Sequence, residues 1–253
     1  MDTTKQTEGL KTRYGIELFH NYFGLLVDDG EGARVYGYEN QSAERPNKSV
    51  TIPTNGGVYG YVGAGSILIL DGDKTFTVEA GYWFSTRNTP EILFTSKEYR
   101  IAIWQIDDYF GTLTTGLVED FGRLKYINDC HDSILSSPIQ MGEPCLNALY
   151  MPEGILQAMH THPSFRAGFI INGGARCVTP EKEFDLNTGT IFYLEKEAKH
   201  NFRSDFGAGV TMSLVAFHPD SDFGPTDDNH PMLNRTEVDG VSANTMKDIQ
   251  TRE

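Results

Sequence analysis

Gly154-Ile155-Leu156-Gln157-Ala158-Met159-His160-Thr161-His162-Pro163-Ser164-Phe165-Arg166-Ala167-Gly168-Phe169-Ile170-Ile171-Asn172-Gly173 is the most informative stretch of the chain. Two histidines one residue apart stand in an apolar context, followed by an arginine, an apolar run and a glycine turn. Period two on an extended strand sends His160 and His162 to the same face, about 7 Å apart along the backbone. Imidazole binds zinc, iron, copper and nickel alike, so such a pair can share one ion. The bland alternative is a surface strand with polar residues facing water.

Strand signals dominate outside this stretch. Short apolar or alternating runs recur at 58–62, 67–70, 75–78, 82–84 and 101–106, broken by Gly, Asn and Asp. Leu70-Asp71-Gly72-Asp73 reads as a hairpin, because glycine supplies the positive φ of a tight turn. Thr75-Phe76-Thr77-Val78-Glu79 alternates with period two, placing Phe76 and Val78 on one face. Helical periodicity is faint and confined to candidates such as 107–117. The fold class is all-β. The two halves also repeat: Ile67–Asp73 leading to Thr75–Phe84 resembles Gly168–Gly174 leading to Glu183–Phe192. Residues 129–145 read as the connector, and 219–253 carry eight acidic and three basic side chains, a strap or a partly disordered tail.

Composition bounds the function. The chain has 253 residues, 26 of them Gly and 11 Pro, enough for one large domain or two small ones rich in turns. Its formal net charge of −14 and the lack of any basic run argue against nucleic-acid binding. Cys130, Cys145 and Cys177 cannot all pair and form no CxxC, which points to a reducing compartment. The opening MDTTKQTEGLKTRYG has no apolar stretch, and no run approaches the length of a membrane span. These features predict a soluble, cytoplasmic protein without membrane partners.

Wider spacing sharpens the histidine signal. Gly154, five residues, His160-Thr161-His162, three residues, Arg166, six residues and Gly173 make one motif. Gly189, five residues, Glu195, one residue, Glu197, two residues and His200 make a second, after a linker of fifteen residues from Gly174 to Thr188. In this pattern the chain resembles the cupin superfamily, and its repeated halves resemble a bicupin. The resemblance spans roughly residues 50–218. It implies two tandem jelly-roll barrels, an N-terminal one over 1–135 and a C-terminal one over 136–218, followed by the acidic tail. It also implies a three-histidine metal centre of His160, His162 and His200, with open positions for water, substrate or oxygen. Arg166 stands where the family has an acidic ligand, Glu195 and Glu197 where it has proline and glycine, and Ser204 where it has asparagine. Sliding the motifs onto the first half puts Tyr59 and Tyr61 at the two histidines and Ile92 at His200, so that half is expected to be free of metal. The tyrosines are candidates to line a pocket there.

Arg166 is the most telling departure. By strand parity it points with His160 and His162, and a guanidinium beside a dication is repulsive unless an anion lies between them. A substrate carboxylate held in bidentate fashion would fill that role. The alternative is a strand bulge near Pro163 that turns Arg166 to solvent or to an acid. Glu195 and Glu197 read as solvated hairpin charges, Cys177 as a buried inert thiol, and Gln157 and Tyr193 as inward hydrogen-bond donors. His20, His131, His218 and His230 are assigned to structure or surface. The functional expectation is a metal-dependent cupin enzyme, foremost a non-haem Fe(II) dioxygenase acting on a small anionic substrate. Its rivals are a lyase, hydrolase or isomerase using Zn, Ni or Mn as Lewis acid, and a non-catalytic ligand-binding cupin. A homodimer accords with the resemblance.

Overall fold

The computed structural model describes residues 12–41, 49–53, 55–87, 89–204, 209 and 211–251. The first half contains β1 (Ile16–Phe19), β2 (Phe23–Asp28), β3 (Ala33–Asn40), β4 (Ser49–Thr51), β5 (Gly57–Ala64), β6 (Ser66–Asp71), β7 (Lys74–Glu79), β8 (Tyr82–Thr86), β9 (Glu91–Phe94) and β10 (Tyr99–Ile106). The second contains β11 (Thr114–Leu117), β12 (Leu124–Lys125), β13 (His131–Ser136), β14 (Cys145–Met151), β15 (Arg166–Asn172), β16 (Ala175–Val178), β17 (Glu183–Leu186), β18 (Ile191–Leu194), β19 (Asn201–Ser204) and β20 (Met212–His218). The fold is nearly all-β. The one α-helix among the described residues is the single turn Pro231–Arg235, capped by His230, whose Nδ1 accepts from the amides of Met232 and Leu233.

Two large sheets repeat one strand order. The first runs β11-β8-β5-β10-β3-β2, the second β1-β18-β15-β20-β14-β13-β12. Each has a small companion, β4-β9-β6-β7 in the first half and β17-β16-β19 in the second. The outermost strands are exchanged: β1 pairs antiparallel with β18 in the second half, and β11 with β8 in the first. β13, inside the expected connector, pairs with β14. The helix expected near 107–117 is not formed; that segment ends in β11, because pairing on the β8 edge outweighs its faint helical period.

Packing follows the strand parity. Ile67, Ile69, Val78, Ile92, Ile101 and Ile103 fill the space between the first half's two sheets. Met151, Ile170, Cys177, Phe192, Phe202 and Leu214 do the same in the second. A third apolar cluster joins the halves through the opposite faces of the two large sheets: Tyr59, Tyr61, Trp104, Phe165, Phe169 and Phe217. The ring centroids of Tyr61 and Phe169 lie 5.2 Å apart, and those of Tyr59 and Phe217 5.4 Å. Strands buried on both faces explain the unbroken apolar runs Ile101–Trp104 and Leu214–Phe217. The layers thus stack small sheet, large sheet, large sheet, small sheet.

This stacking corrects the reading of Tyr59 and Tyr61. Both project from β5 into the cluster between the halves, while Val58 and Val62 face the first half's interior. The equivalent of Gly173, between β15 and β16, is Gly65 between β5 and β6, not Gly72, which turns the β6–β7 hairpin at φ +62°. Gly81 and Gly189 do correspond, both at positive φ before β8 and β18. A Cβ on Gly189 would clash with the Arg100 guanidinium, so the residue serves both the turn and the contact between halves.

Candidate metal and ligand site

His160, His162 and His200 converge between the sheets of the second half, their ligand nitrogens all within 4.8 Å of one another. Ring centroids are 5.1 Å apart for His160 and His162, 4.7 Å for His160 and His200, and 5.2 Å for His162 and His200. The strand expected at 156–162 is not continuous. Its backbone is tied at isolated bridges instead, Leu156 opposite Arg203 and His160 opposite His200. His160 N donates to His200 O at 2.8 Å and His200 N to His160 O at 3.0 Å, so the two residues are directly opposed. His162 is held from the other side, its carbonyl accepting from Glu197 N at 2.9 Å, with Glu197 in the left-handed region at φ +59°. In the first half the pair opposed in the same way is Val50 and Ile92.

The backbone also sets the tautomers. His160 Nδ1 lies 2.8 Å from Ala158 O, and His200 Nδ1 lies 2.8 Å from Ala198 O. A carbonyl only accepts, so each Nδ1 carries the proton and each Nε2 keeps a free lone pair. Burial, helped by the Arg166 charge and the other two imidazoles, pushes His162 down to about 3. Burial likewise lowers His200 to about 4. Both rings are therefore neutral at pH 7, the form in which imidazole binds a metal.

Facing the histidines is a polar row across the large sheet. Ala167 on β15 pairs with Phe217 on β20, which sets Arg166 beside His218; β14 brings Asn147, and β13 brings Asp132. All four line a cavity of about 100 Å³ together with the three histidines, Tyr126, Gln157 and apolar side chains including Phe192 and Leu214. His218 Nε2 lies 2.7 Å from Asn147 Oδ1, and Asn147 Nδ2 donates to Asp132 Oδ2 at 2.7 Å. Asp132 Oδ1 is buried without a hydrogen-bond partner, as is Arg166 Nε. Burial raises the Asp132 carboxyl to about 6, against the pull of the Asn147 amide. Burial also holds His218 well below its ordinary value, with the Arg166 charge adding to the effect.

Arg166 combines features of both of its readings, lining the cavity and pairing with an acid. Its side chain is only 11% exposed and lines the cavity, with Asp220 at 3.9 Å on the outer side. Nη1 is taken by Ser164 Oγ at 2.6 Å and by the carbonyls of Phe165 and Ser164. The Nε edge is left over for another acceptor.

Other candidates separate cleanly. Gln157 lines the cavity, its Oε1 accepting from Phe202 N at 3.2 Å. Tyr193 points away, into the cluster between the halves. Cys177 is fully buried among apolar side chains, and burial pushes its thiol up to about 12. His218, assigned from sequence to structure or surface, belongs to the cavity instead. Its inward parity with Leu214 and Ala216 was a legible signal, and Asn147 inside the apolar Cys145–Met151 was another. Asp132 carried no signal, because its placement depends on β13 pairing with β14.

Comparisons with known proteins agree with this architecture. The family of AraC-like ligand-binding domains matches residues 152–239, which contain all three histidines. A comparison with curated protein sequences finds no match. Among solved structures, a cupin 2 conserved barrel domain protein from Leptotrichia buccalis superposes with a TM-score of 0.56 at 10% identity, over 81% of this chain and 89% of that one. An oxalate decarboxylase gives 0.56 at 11% identity over 94% and 86%. A salicylate 1,2-dioxygenase from Pseudaminobacter salicylatoxidans gives 0.55 at 9% identity over 78% and 76%. At such identities the likeness is one of fold alone, a cupin-type β fold. No helix of the described residues is long and apolar enough to cross a membrane.

Proposed function

We propose that the second half is a metal-dependent cupin site acting on a small carboxylate-bearing molecule, with oxygen-dependent oxidation at Fe(II) as the leading chemistry. The observation that carries this reading is the convergence of three imidazoles, two of them with Nδ1 pinned by carbonyls and Nε2 left free. The donor set fits a divalent ion: three neutral nitrogens, half-buried or buried, leave its charge uncancelled and its remaining positions open. His160, His162 and His200 would hold it. When bound, such an ion supplies Lewis acidity and, as iron, an electron path between substrate and oxygen.

The chain's own residues bind and orient. Arg166, nearly buried and with a free Nε, holds an anion facing the metal ligands. The apolar walls of Phe192, Leu194 and Leu214 lower the local polarity, which strengthens that charge pairing. Support also comes from the fold neighbours, two of which are named for carboxylates, salicylate and oxalate. The repeated sheet orders support reading the chain as a bicupin whose first half is structural. A second reading, ligand binding without catalysis, is favoured by the match of residues 152–239 to a ligand-binding family.

Elemental analysis of protein purified anaerobically, beside His160→Ala and His200→Ala, tests the centre. Near-stoichiometric iron in the wild type, lost in both variants with the fold intact by circular dichroism, is the expected result. Zinc, nickel or manganese at that level would move the chemistry to Lewis-acid catalysis. Full metal occupancy in either variant would show that the ligands are misassigned.

A further inference from the structure

We infer that the cavity recognises a small carboxylate bearing a hydroxyl on the carbon next to the carboxyl group, with Arg166 taking the carboxylate and His218 accepting from the hydroxyl. This rests on the anion-binding reading above and adds the second recognition element. Its basis is the direction of the hydrogen bonds along the polar row.

Asn147 Nδ2 donates to Asp132, so its Oδ1 is the acceptor that faces His218 Nε2. Nε2 must then carry the proton, and the neutral ring presents Nδ1 as a lone pair. Among the described residues the only side-chain hydrogen bond of His218 is the one to Asn147, which leaves Nδ1 free to accept. Asp132 and Asn147 thus act as positioning residues, fixing the tautomer and plane of the imidazole. The same logic operates wherever a carboxylate or amide orients a histidine.

Distance limits the ligand. Arg166 and His218 are neighbours across adjacent strands, about 4.8 Å apart at the backbone. A short acid with its donor close to the carboxyl carbon suits two such neighbours lining one small cavity. The cavity of about 100 Å³ excludes bulky substituents. Charge decides between a hydroxyl and an ammonium. Arg166 already puts positive charge on this site, and a dication held by the three histidines would add to it, so a neutral hydroxyl is preferred to an ammonium.

Titration calorimetry of the full chain as purified, with acetate, glycolate and glycine, tests this directly. Glycolate is expected to bind about tenfold more tightly than acetate and than glycine, the effect of one well-placed hydrogen bond. A metal ion can also chelate glycolate, so the deciding arms are Asn147→Leu and His218→Phe, with metal content measured in each. Both should reduce the glycolate-to-acetate preference to about twofold or less. Equal affinity for glycolate and acetate in the wild type, tighter binding of glycine, or a preference that survives both variants would each overturn the inference. Arg166→Gln separates the two readings. Acetate binding unchanged in that variant would sink the anion site itself, whereas its loss alongside equal glycolate and acetate binding in the wild type would sink only the hydroxyl contact. No binding of any probe would remove both.

Discussion

Asp132 shows how a cavity of this kind is maintained against stability. Its carboxyl is raised to about 6 by burial, whereas an unfolded chain would hold it near about 3.9. The fold therefore favours the protonated form. The associated stability is fully present below about pH 4 and is lost as the pH rises through 6. Asp132→Asn retains an acceptor for Asn147 and removes the ionisation. It is expected to match the wild type at pH 4 and to exceed it at pH 7.5 by on the order of 1–2 kcal/mol, the shift being discounted for partial exposure. Denaturant melts at the two pH values check this; equal stability at both would mean that Asp132 is solvated.

At the scale of elements, the exchanged edge strand β1 is the least expected feature and an accessible one. Ile16 is buried within the second half's apolar interior, although it stands near the start of the described chain. Ile16→Ala should cost about 2–4 kcal/mol, like other large-to-small core changes. It should also loosen β18, whose residues Ile191–Leu194 pair with β1 on one side and β15 on the other. Hydrogen exchange would show this as faster exchange in β18 than in β3. Tyr22, just beyond β1, ties the halves by donating to Gly189 O at 2.8 Å. Tyr22→Phe should cost about 1–2 kcal/mol, because a buried carbonyl is left without its donor.

Two exchanged strands and a shared aromatic cluster make the halves of the whole molecule mutually dependent. Neither large sheet can expose Tyr59, Tyr61, Phe169 and Phe217 to water without losing the burial that holds it. One cooperative unfolding transition is expected in calorimetry, with equal calorimetric and van't Hoff enthalpies. Two resolved transitions would show that the contact between the halves is weak.

Much of this was readable from particular residues. The alternation of Thr75–Glu79, the turn at Gly72 and the glycines at 81 and 189 report local backbone physics, which a sequence carries within a few residues. The spacing of His160, His162 and His200 likewise pointed to one cluster, and the parity of Arg166 with His160 and His162 pointed inward. The fate of Tyr59 and Tyr61 was not readable, since both faces of β5 are buried and alternation cannot say which face meets which neighbour. The exchange of β1 and β11 depends on edge strands finding partners far along the chain, Ile16 opposite Leu194 and Thr114 opposite Ser85. Asp132, Asn147 and His218 became one hydrogen-bonded row only when β13, β14 and β20 lay side by side. The sequence by itself determined the strands, their turns and the donors available to a metal. Only the tertiary structure decided which faces are interior and which polar groups meet, because both depend on contacts between segments that local pattern does not encode.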